Sequence, residues 1–203
     1  MSVSPILFEK AFSEGIFRVY DGDPQQLNLC VSKQTHSNIV LNVLTPDLAL
    51  QEGDGICGQW NELIGPIIAV KTADCLPVLL IGERGAAMVH AGWRGLATGI
   101  LANRNLQELK PRSAFIGPCI HSCCFEVTAE FKQHFPQSPF VTQADGSLRF
   151  DLVAEAQRQL LATYPAIKIE DSGACTYCET KYSSFRRDKT TRRIWNCFLP
   201  LAK

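Results

Sequence analysis

The sequence is poor in histidine, has no net charge and contains no long apolar run. Its 20 lysines and arginines stand against 20 aspartates and glutamates. Such a balance builds no field for a nucleic acid or an anionic membrane surface, so neither partner is expected. No apolar stretch reaches the roughly 18 residues that would span a bilayer. The first residues, MSVSPILFEK, lack a basic segment followed by a long apolar one and do not read as a secretory leader. There is no internal repeat and no low-complexity tract. Cysteine, by contrast, is abundant. Nine are present, an odd number without an export signal, so they read as core thiols, metal ligands or nucleophiles rather than a disulfide framework. A hydrophobic content of 46% is ordinary for a globular chain, and 203 residues suit a single domain over 1–203. The expected location is cytoplasmic.

Hydrophobic patterning mixes strands and helices. GIFRVY, SNIVLNVL, IGPIIAV, CLPVLLIG, GAAMVH and SAFIG read as strands, and so do IKIE and RRIWNCFLP near the end. Leu96, Ile100, Leu106 and Leu109 form a helical stripe stopped by Pro111, and FEVTAEFKQHF predicts a short helix. LVAEAQRQLLATY predicts a further helix, capped by Asp151 and ending before Pro165. The early strands follow one another without helices between them, which predicts an α+β fold rather than a regular parallel array.

One stretch, AVKTADCLPVLL, places Asp74 and Cys75 inside an otherwise apolar run, two residues before Pro77. A buried strand gains nothing from a carboxylate, and proline cannot donate to a sheet ladder. The run therefore reads as two strands with a functional junction between them. Two of the four histidines occupy comparable places. His36 precedes a strand, and His90 ends GAAMVH before the turn AGWRG. Strand ends point into crevices where sites form. Convergence of His36, Cys75 and His90 would make a three-ligand metal site with an open fourth position. The same cysteine beside a histidine could instead be an activated nucleophile, with Asp74 orienting the histidine or moving protons. Ordinary core packing is the third reading, and spacings of 39 and 15 residues do not choose among them. Gly92 and Gly95 permit close backbone approach to a ligand, at the start of a predicted helix whose N–H groups favour an anion. Arg94 could add a charge-assisted bond to phosphate or carboxylate.

Other clusters point less clearly. GPCIHSCCFEV holds Cys119, His121, Cys123 and Cys124, but its spacing is not a standard zinc pair and reads as turn packing. Cys175 and Cys178 form a Cys-x-x-Cys pair with no second pair downstream, only Cys197. YSSFRRDKTTRR, with Arg186 and Arg187, reads as a solvated loop that could line an anion site. No histidine is followed two residues later by glutamate, so the nucleobase-deaminase zinc signature is absent.

Taken in order, TADCLPVLL, HAGWRGL, IGPCI…CCFEV, CTYC and FRRD resemble the bacterial laccase-domain family, labelled multicopper polyphenol oxidase and also purine nucleoside phosphorylase. The resemblance runs from about Gln34 to the C-terminus. It implies mixed β-sheets flanked by helices, similar to the catalytic domain of the cytotoxic necrotising factors. It implies zinc held by His36, Cys75 and His90. It also implies phosphorolysis of inosine, adenosine or methylthioadenosine, with adenosine deamination reported in the family. The substrates would be a purine nucleoside and phosphate. Arg94, Gly92, Gly95, Arg186 and Arg187 would cradle the phosphate, and Asp74 would move protons. Against the oxidase label, four histidines are too few for a mononuclear plus a trinuclear copper centre, although adventitious copper could replace zinc. The family's usual opening Thr-Arg-x-Gly-Gly segment is missing, so residues 1–33 look shortened. Two alternatives stand beside this reading: a cysteine or zinc hydrolase of amides or esters, such as peptidoglycan-precursor editing, and a zinc-binding domain without activity.

Overall fold

The structure is a computed structural model and describes residues 4–201. The chain begins with strands β1 (Ile6–Phe12), β2 (Gly15–Asp21), β3 (Leu29–Cys30) and β4 (Val40–Asn42). It continues through β5 (Gly55–Gln59), β6 (Ile67–Thr72), β7 (Leu76–Gly82) and β8 (Gly85–Ala91). Two short helices, α1 (Trp93–Ala97) and α2 (Arg104–Gln107), lead into β9 (Pro111–Ile116). Three small strands follow, β10 (Glu126–Val127), β11 (Phe140–Thr142) and β12 (Leu148–Phe150). The last elements are α3 (Leu152–Thr163), β13 (Lys168–Asp171), α4 (Phe185–Asp188) and β14 (Ile194–Pro200).

Two mixed sheets dominate, which makes the fold α+β as the strand clustering predicts. One has the order β1-β2-β14-β6-β3 and the other β13-β9-β7-β8-β5-β4; β10, β12 and β11 form a third, smaller one. The two large sheets pack face to face. Phe17, Val19, Ile68, Val70 and Phe198 of the first meet Ile56, Leu79, Ile81, Met88 and Phe115 of the second. The other face of the six-stranded sheet carries Val78, Leu80, Val89 and Ile116 against Leu96, Ile100, Leu152 and Leu160 of the helical layer. Side chains alternate across a strand, so β7 and β8 are covered on both faces and every residue in them is buried. That double burial explains why their sequences read as continuous apolar runs.

Three local expectations change. The stripe from Leu96 to Leu109 is buried as predicted, but it is not one helix. Gly99 at φ +79° and Asn103, which caps α2 by accepting from Asn105 N–H, break it into α1, a 3₁₀ turn and α2. SNIVLNVL keeps only β4 as strand. FEVTAEFKQHF divides into β10 and a 3₁₀ turn at Ala129–His134. The helix α3 forms as predicted, with the Asp151 carboxylate accepting from Ala154 N–H at 2.9 Å. Among the described residues no helix is long and apolar enough to cross a membrane.

Candidate metal centre and its cleft

β6 ends at Thr72 and β7 begins at Leu76, so Ala73, Asp74 and Cys75 are the junction that the sequence predicts. Asp74 takes φ +88°, a left-handed turn that swings Cys75 toward the end of β8. The pairing of β7 with β8 sets Leu76 against Ala91 and Pro77 against His90. One step further along this ladder brings Cys75 beside Gly92. On β8, His90 falls on the same face as Met88, toward the other large sheet, but at the strand end where the core opens. The third member, His36, lies in the loop before β4 at φ +61°. The candidate ligand atoms of His36, Cys75 and His90 lie within 4.8 Å of one another, and the two imidazole rings are 4.9 Å apart.

One buried carboxylate organises two of the three. Asp54 precedes β5, in line with His90 across the β5–β8 ladder, and is fully buried. Its Oδ1 pairs with His90 Nδ1 at 2.7 Å and accepts from His36 N–H at 3.0 Å. Its Oδ2 accepts from Thr35 N–H, Ser37 N–H and the Ser37 hydroxyl at 3.1, 2.6 and 2.8 Å. A single side chain thus ties down the loop that carries His36 and fixes the orientation of His90. With Nδ1 committed to Asp54, Nε2 of His90 is the nitrogen that faces Cys75 and His36. The sequence pointed to Asp74 as the orienting acid, and the geometry gives that place to Asp54. Its segment, GDGICG, carries no strand signal, so only the β5–β8 pairing sets it opposite His90.

Electrostatics follow from this packing. Burial opposes a thiolate at Cys75, but the His90 and His36 rings outweigh it and bring the thiol from 9.0 down to about 6. Burial likewise opposes charge on His90, and the Cys75 sulfur with the Asp54 carboxylate lifts it from 6.5 to about 9. Asp54 is held down at about 2, despite its burial, by His90 and Ser37. Without metal, the trio at neutral pH is a thiolate beside an imidazolium. Deprotonated sulfur and a fixed imidazole are also what a soft divalent cation requires.

The residues fit such an ion. Two nitrogens and one sulfur form a donor set suited to zinc or copper and leave a position open to a substrate. A Cβ on Gly92 would stand 3.1 Å from His36 Cδ2 and 3.2 Å from Cys75 Sγ. The space over the donor atoms is therefore clear only because residue 92 has no side chain.

A cleft of about 610 Å³ opens over the trio. Lys71, Arg94, Arg186 and Arg193 line it, with Trp93, Ile120, Phe125 and Phe185 supplying apolar surface. A larger, more open depression of about 840 Å³, between the β1–β2 turn and the end of α3, contains neither histidine nor cysteine. The chemistry therefore selects the smaller cleft. Arg94 is exposed and lies over the Trp93 ring at 4.6 Å. Gly95 is packed under this turn, and α1 is a five-residue helix, shorter than the sequence pattern suggests. Arg186 stacks on Phe125 at 5.1 Å and donates from Nη1 to the Glu126 carbonyl.

Two sequence-derived assignments change here. Arg187 does not face the cleft. Its guanidinium donates to the carbonyls of Thr176, Tyr177 and Tyr182 and pairs with Asp188. Asp74 lines the cleft, but its oxygens accept from the Thr176 hydroxyl at 2.8 Å and Arg186 N–H at 2.6 Å. It therefore anchors the start of α4 across the chain, which the sequence read as a solvated loop. The cysteine tract also differs from its reading as simple turn packing. The second pair for Cys175 and Cys178 lies upstream, at Cys123 and Cys124.

Comparison with known proteins finds relatives in sequence and in fold. A purine nucleoside phosphorylase of Aquifex aeolicus is 36% identical over 167 residues, covering 79% of this chain and 77% of that protein. An adenosine deaminase from an unknown prokaryotic organism is 33% identical over 184 residues, covering 79% and 70%. The crystal structure of Neisseria meningitidis protein NMB0706 has the same fold, with a TM-score of 0.82 over 97% of this chain and 99% of that one at 24% identity. The family model described as multi-copper polyphenol oxidoreductase laccase matches residues 17–199, and the chain belongs to that family.

Proposed function

We propose that the chain is a zinc-dependent purine nucleoside phosphorylase. The observation that carries this reading is the convergence of His36, Cys75 and His90 beneath a cleft that combines cationic and apolar walls. The 36% identity to a relative named for that activity supports it. In phosphorolysis a phosphate oxygen forms a bond to C1′ of the sugar while the C1′–N9 bond breaks. Its electron pair leaves with the purine, giving free base and sugar 1-phosphate. Arg94, Arg186, Lys71 and Arg193 hold the phosphate anion against that carbon, and Gly92 leaves the space above the donor atoms clear, whereas Gly95 is packed under the turn away from it. Trp93, Phe125 and Phe185 offer flat apolar surface to the purine. Zinc held by the trio would supply Lewis acidity for negative charge developing beside it. Asp54 holds His90 in its ligating orientation, and Asp74 positions α4 and Arg186 rather than moving protons. Copper can displace zinc from such a donor set, and stray oxidation would follow. Polyphenol oxidation does not account for the main function, since His121 and His134 lie outside the cleft and only four histidines are present.

Adenosine deamination, the activity for which the second relative is named, is proposed as a side reaction of the same cleft. One observation favours a different class. Cys75, His90 and Asp54 stand in the order nucleophile, base and orienting carboxylate, as an amide or ester hydrolase would need. The likeness of the fold to the catalytic domain of the cytotoxic necrotising factors, which the family resemblance implies, is likewise a proposal, and superposition of the two structures tests it. Residues 1–203 are proposed to act as one domain.

Incubation of the zinc-loaded chain with inosine, adenosine and methylthioadenosine, with and without phosphate, tests the proposal. Free base should appear only when phosphate is present and should vanish in Cys75→Ala. No base release from any nucleoside would sink it, and hydrolysis of amide or ester substrates by the metal-free protein would raise the second reading in its place.

A further inference from the structure

Four cysteines outside the cleft converge at the molecular surface. Cys123 and Cys124 lie in the loop between β9 and β10, and Cys175 and Cys178 in the loop between β13 and α4. All four sulfurs lie within 4.8 Å of one another. Cys123 is 3.7 Å from Cys175 and 3.8 Å from Cys178, and Cys124 is 3.3 Å from Cys178. Sulfurs held tetrahedrally at about 2.3 Å from one ion stand about 3.8 Å apart. A disulfide would need a separation of about 2 Å, and all four thiols are free. An iron–sulfur cluster places irons and sulfides between its cysteines and spreads them beyond this spacing.

Packing does not explain the cluster. Cys123 and Cys178 are exposed, so these thiols gather without being withdrawn from water. A second observation concerns Cys175, the most buried of the four. The backbone N–H groups of His121, Tyr177 and Cys178 are all directed at its sulfur. A neutral thiol is a weak acceptor, whereas a metal-bound thiolate is a good one. Two of the three donors come from the Cys-x-x-Cys turn itself, which wraps its backbone around its first sulfur.

We propose that Cys123, Cys124, Cys175 and Cys178 form a tetrathiolate site for one zinc ion, distinct from the His36–Cys75–His90 trio. Four protein sulfurs close the coordination shell, so the ion is structural. It fastens two loops that meet at the cleft wall. Thr176, between the paired cysteines, donates to Asp74, which in turn receives the N–H of Arg186. Thr176 N–H also donates to the Cys119 carbonyl at 2.9 Å, which continues the contact between the two loops. The ion therefore supports the orientation of Arg186 from behind without touching substrate.

Elemental analysis of the purified, zinc-loaded chain tests this. The wild type should carry one zinc ion more per chain than Cys123→Ser/Cys178→Ser, whose two substituted residues are exposed. Cys75→Ala should lose the other ion and keep this one. If the double variant fails to fold, cobalt-loaded Cys75→Ala decides the matter. It should show intense thiolate-to-cobalt charge transfer and the d–d bands of a tetrahedral ion. Unchanged zinc content in the folded double variant would overturn the proposal. So would a cobalt-loaded Cys75→Ala protein without those bands, or thiol titration that finds Cys124 and Cys178 oxidised as a pair.

Discussion

Replacing Asp54 by asparagine keeps the shape of the residue and removes its charge, so it tests whether this carboxylate builds the metal centre. Five donors converge on its two oxygens: His90 Nδ1 and His36 N–H on one, Thr35 N–H, Ser37 N–H and the Ser37 hydroxyl on the other. An amide has one accepting oxygen and one NH₂ group, and either orientation fails. If NH₂ faces Thr35 and Ser37, it opposes two buried N–H groups and the loop carrying His36 must shift. If NH₂ faces His90, it forces Nδ1 to accept, moves the ring proton to Nε2 and removes the lone pair that a metal needs. The Asp54 carboxyl lies at about 2 in place of 3.8. A gap of that size corresponds to about 2 kcal/mol of native-state stabilisation. Because the folded value is the lower one, this stabilisation is complete above pH 3.8 and disappears as pH falls through about 2. Asp54→Asn should therefore lose about 2 kcal/mol at neutral pH and weaken zinc binding by roughly 10–100-fold, as loss of a ligand-orienting partner does. Denaturant unfolding of the metal-free protein and chelator competition for zinc measure the two effects separately. Wild-type zinc affinity in the folded variant would refute the orienting role, whatever happens to stability.

Gly92→Ala should abolish zinc binding at the trio while leaving the fold intact, because the new methyl would enter the space between His36 and Cys75; calorimetric zinc titration of Cys123→Ser/Cys178→Ser with and without this change reads it. Arg94→Gln should raise the KM for phosphate with little change in the KM for nucleoside, and steady-state kinetics with each substrate varied in turn would expose the opposite pattern. In the metal-free protein, alkylation of Cys75 should rise with a midpoint near pH 6, where an isolated thiol would titrate near 9, and a midpoint near 9 would remove the thiolate–imidazolium pair. Asp151→Ala should cost about 1 kcal/mol through loss of the α3 cap, measured by thermal unfolding.

The parts of this protein that were legible in sequence are those whose physics is local. β7 and β8 announce themselves because double burial demands unbroken apolar residues, and α3 does so through a stripe and an N-cap within one segment. His36, Cys75 and His90 were legible as odd residues at strand ends, although only register could bring them together. What could not be read depends on contacts between distant segments. Asp54 sits in GDGICG, which carries no strand signal, yet β5 pairs with both β4 and β8. Arg187 looked like an anion ligand until the carbonyls of Thr176, Tyr177 and Tyr182 closed around it. The four-cysteine cluster escaped because Cys-x-x-Cys suggests a second pair of like spacing further along, whereas the second pair is adjacent in sequence and 51 residues upstream, from Cys124 to Cys175.

Position in the fold also explains why one trio supports two chemical readings. A strand-end histidine backed by a buried carboxylate is oriented before anything binds, because Asp54 and His90 are neighbours across the β5–β8 ladder. Such an imidazole can hold a metal through Nε2 or keep a proton there for a neighbouring sulfur, and Cys75 accepts either partner as a thiolate. His36 separates the two cases. A Cys–His–Asp hydrolase needs a single histidine, and a second imidazole 4.9 Å from the first would add nothing to it. The structure nevertheless holds His36 in a left-handed conformation at φ +61°, costly for a residue other than glycine, and Asp54 sustains it with the N–H bonds of residues 35 to 37. Strain maintained by a buried carboxylate at this one position is explained when His36 is a ligand, and that is why the metal reading stands ahead of the nucleophilic one.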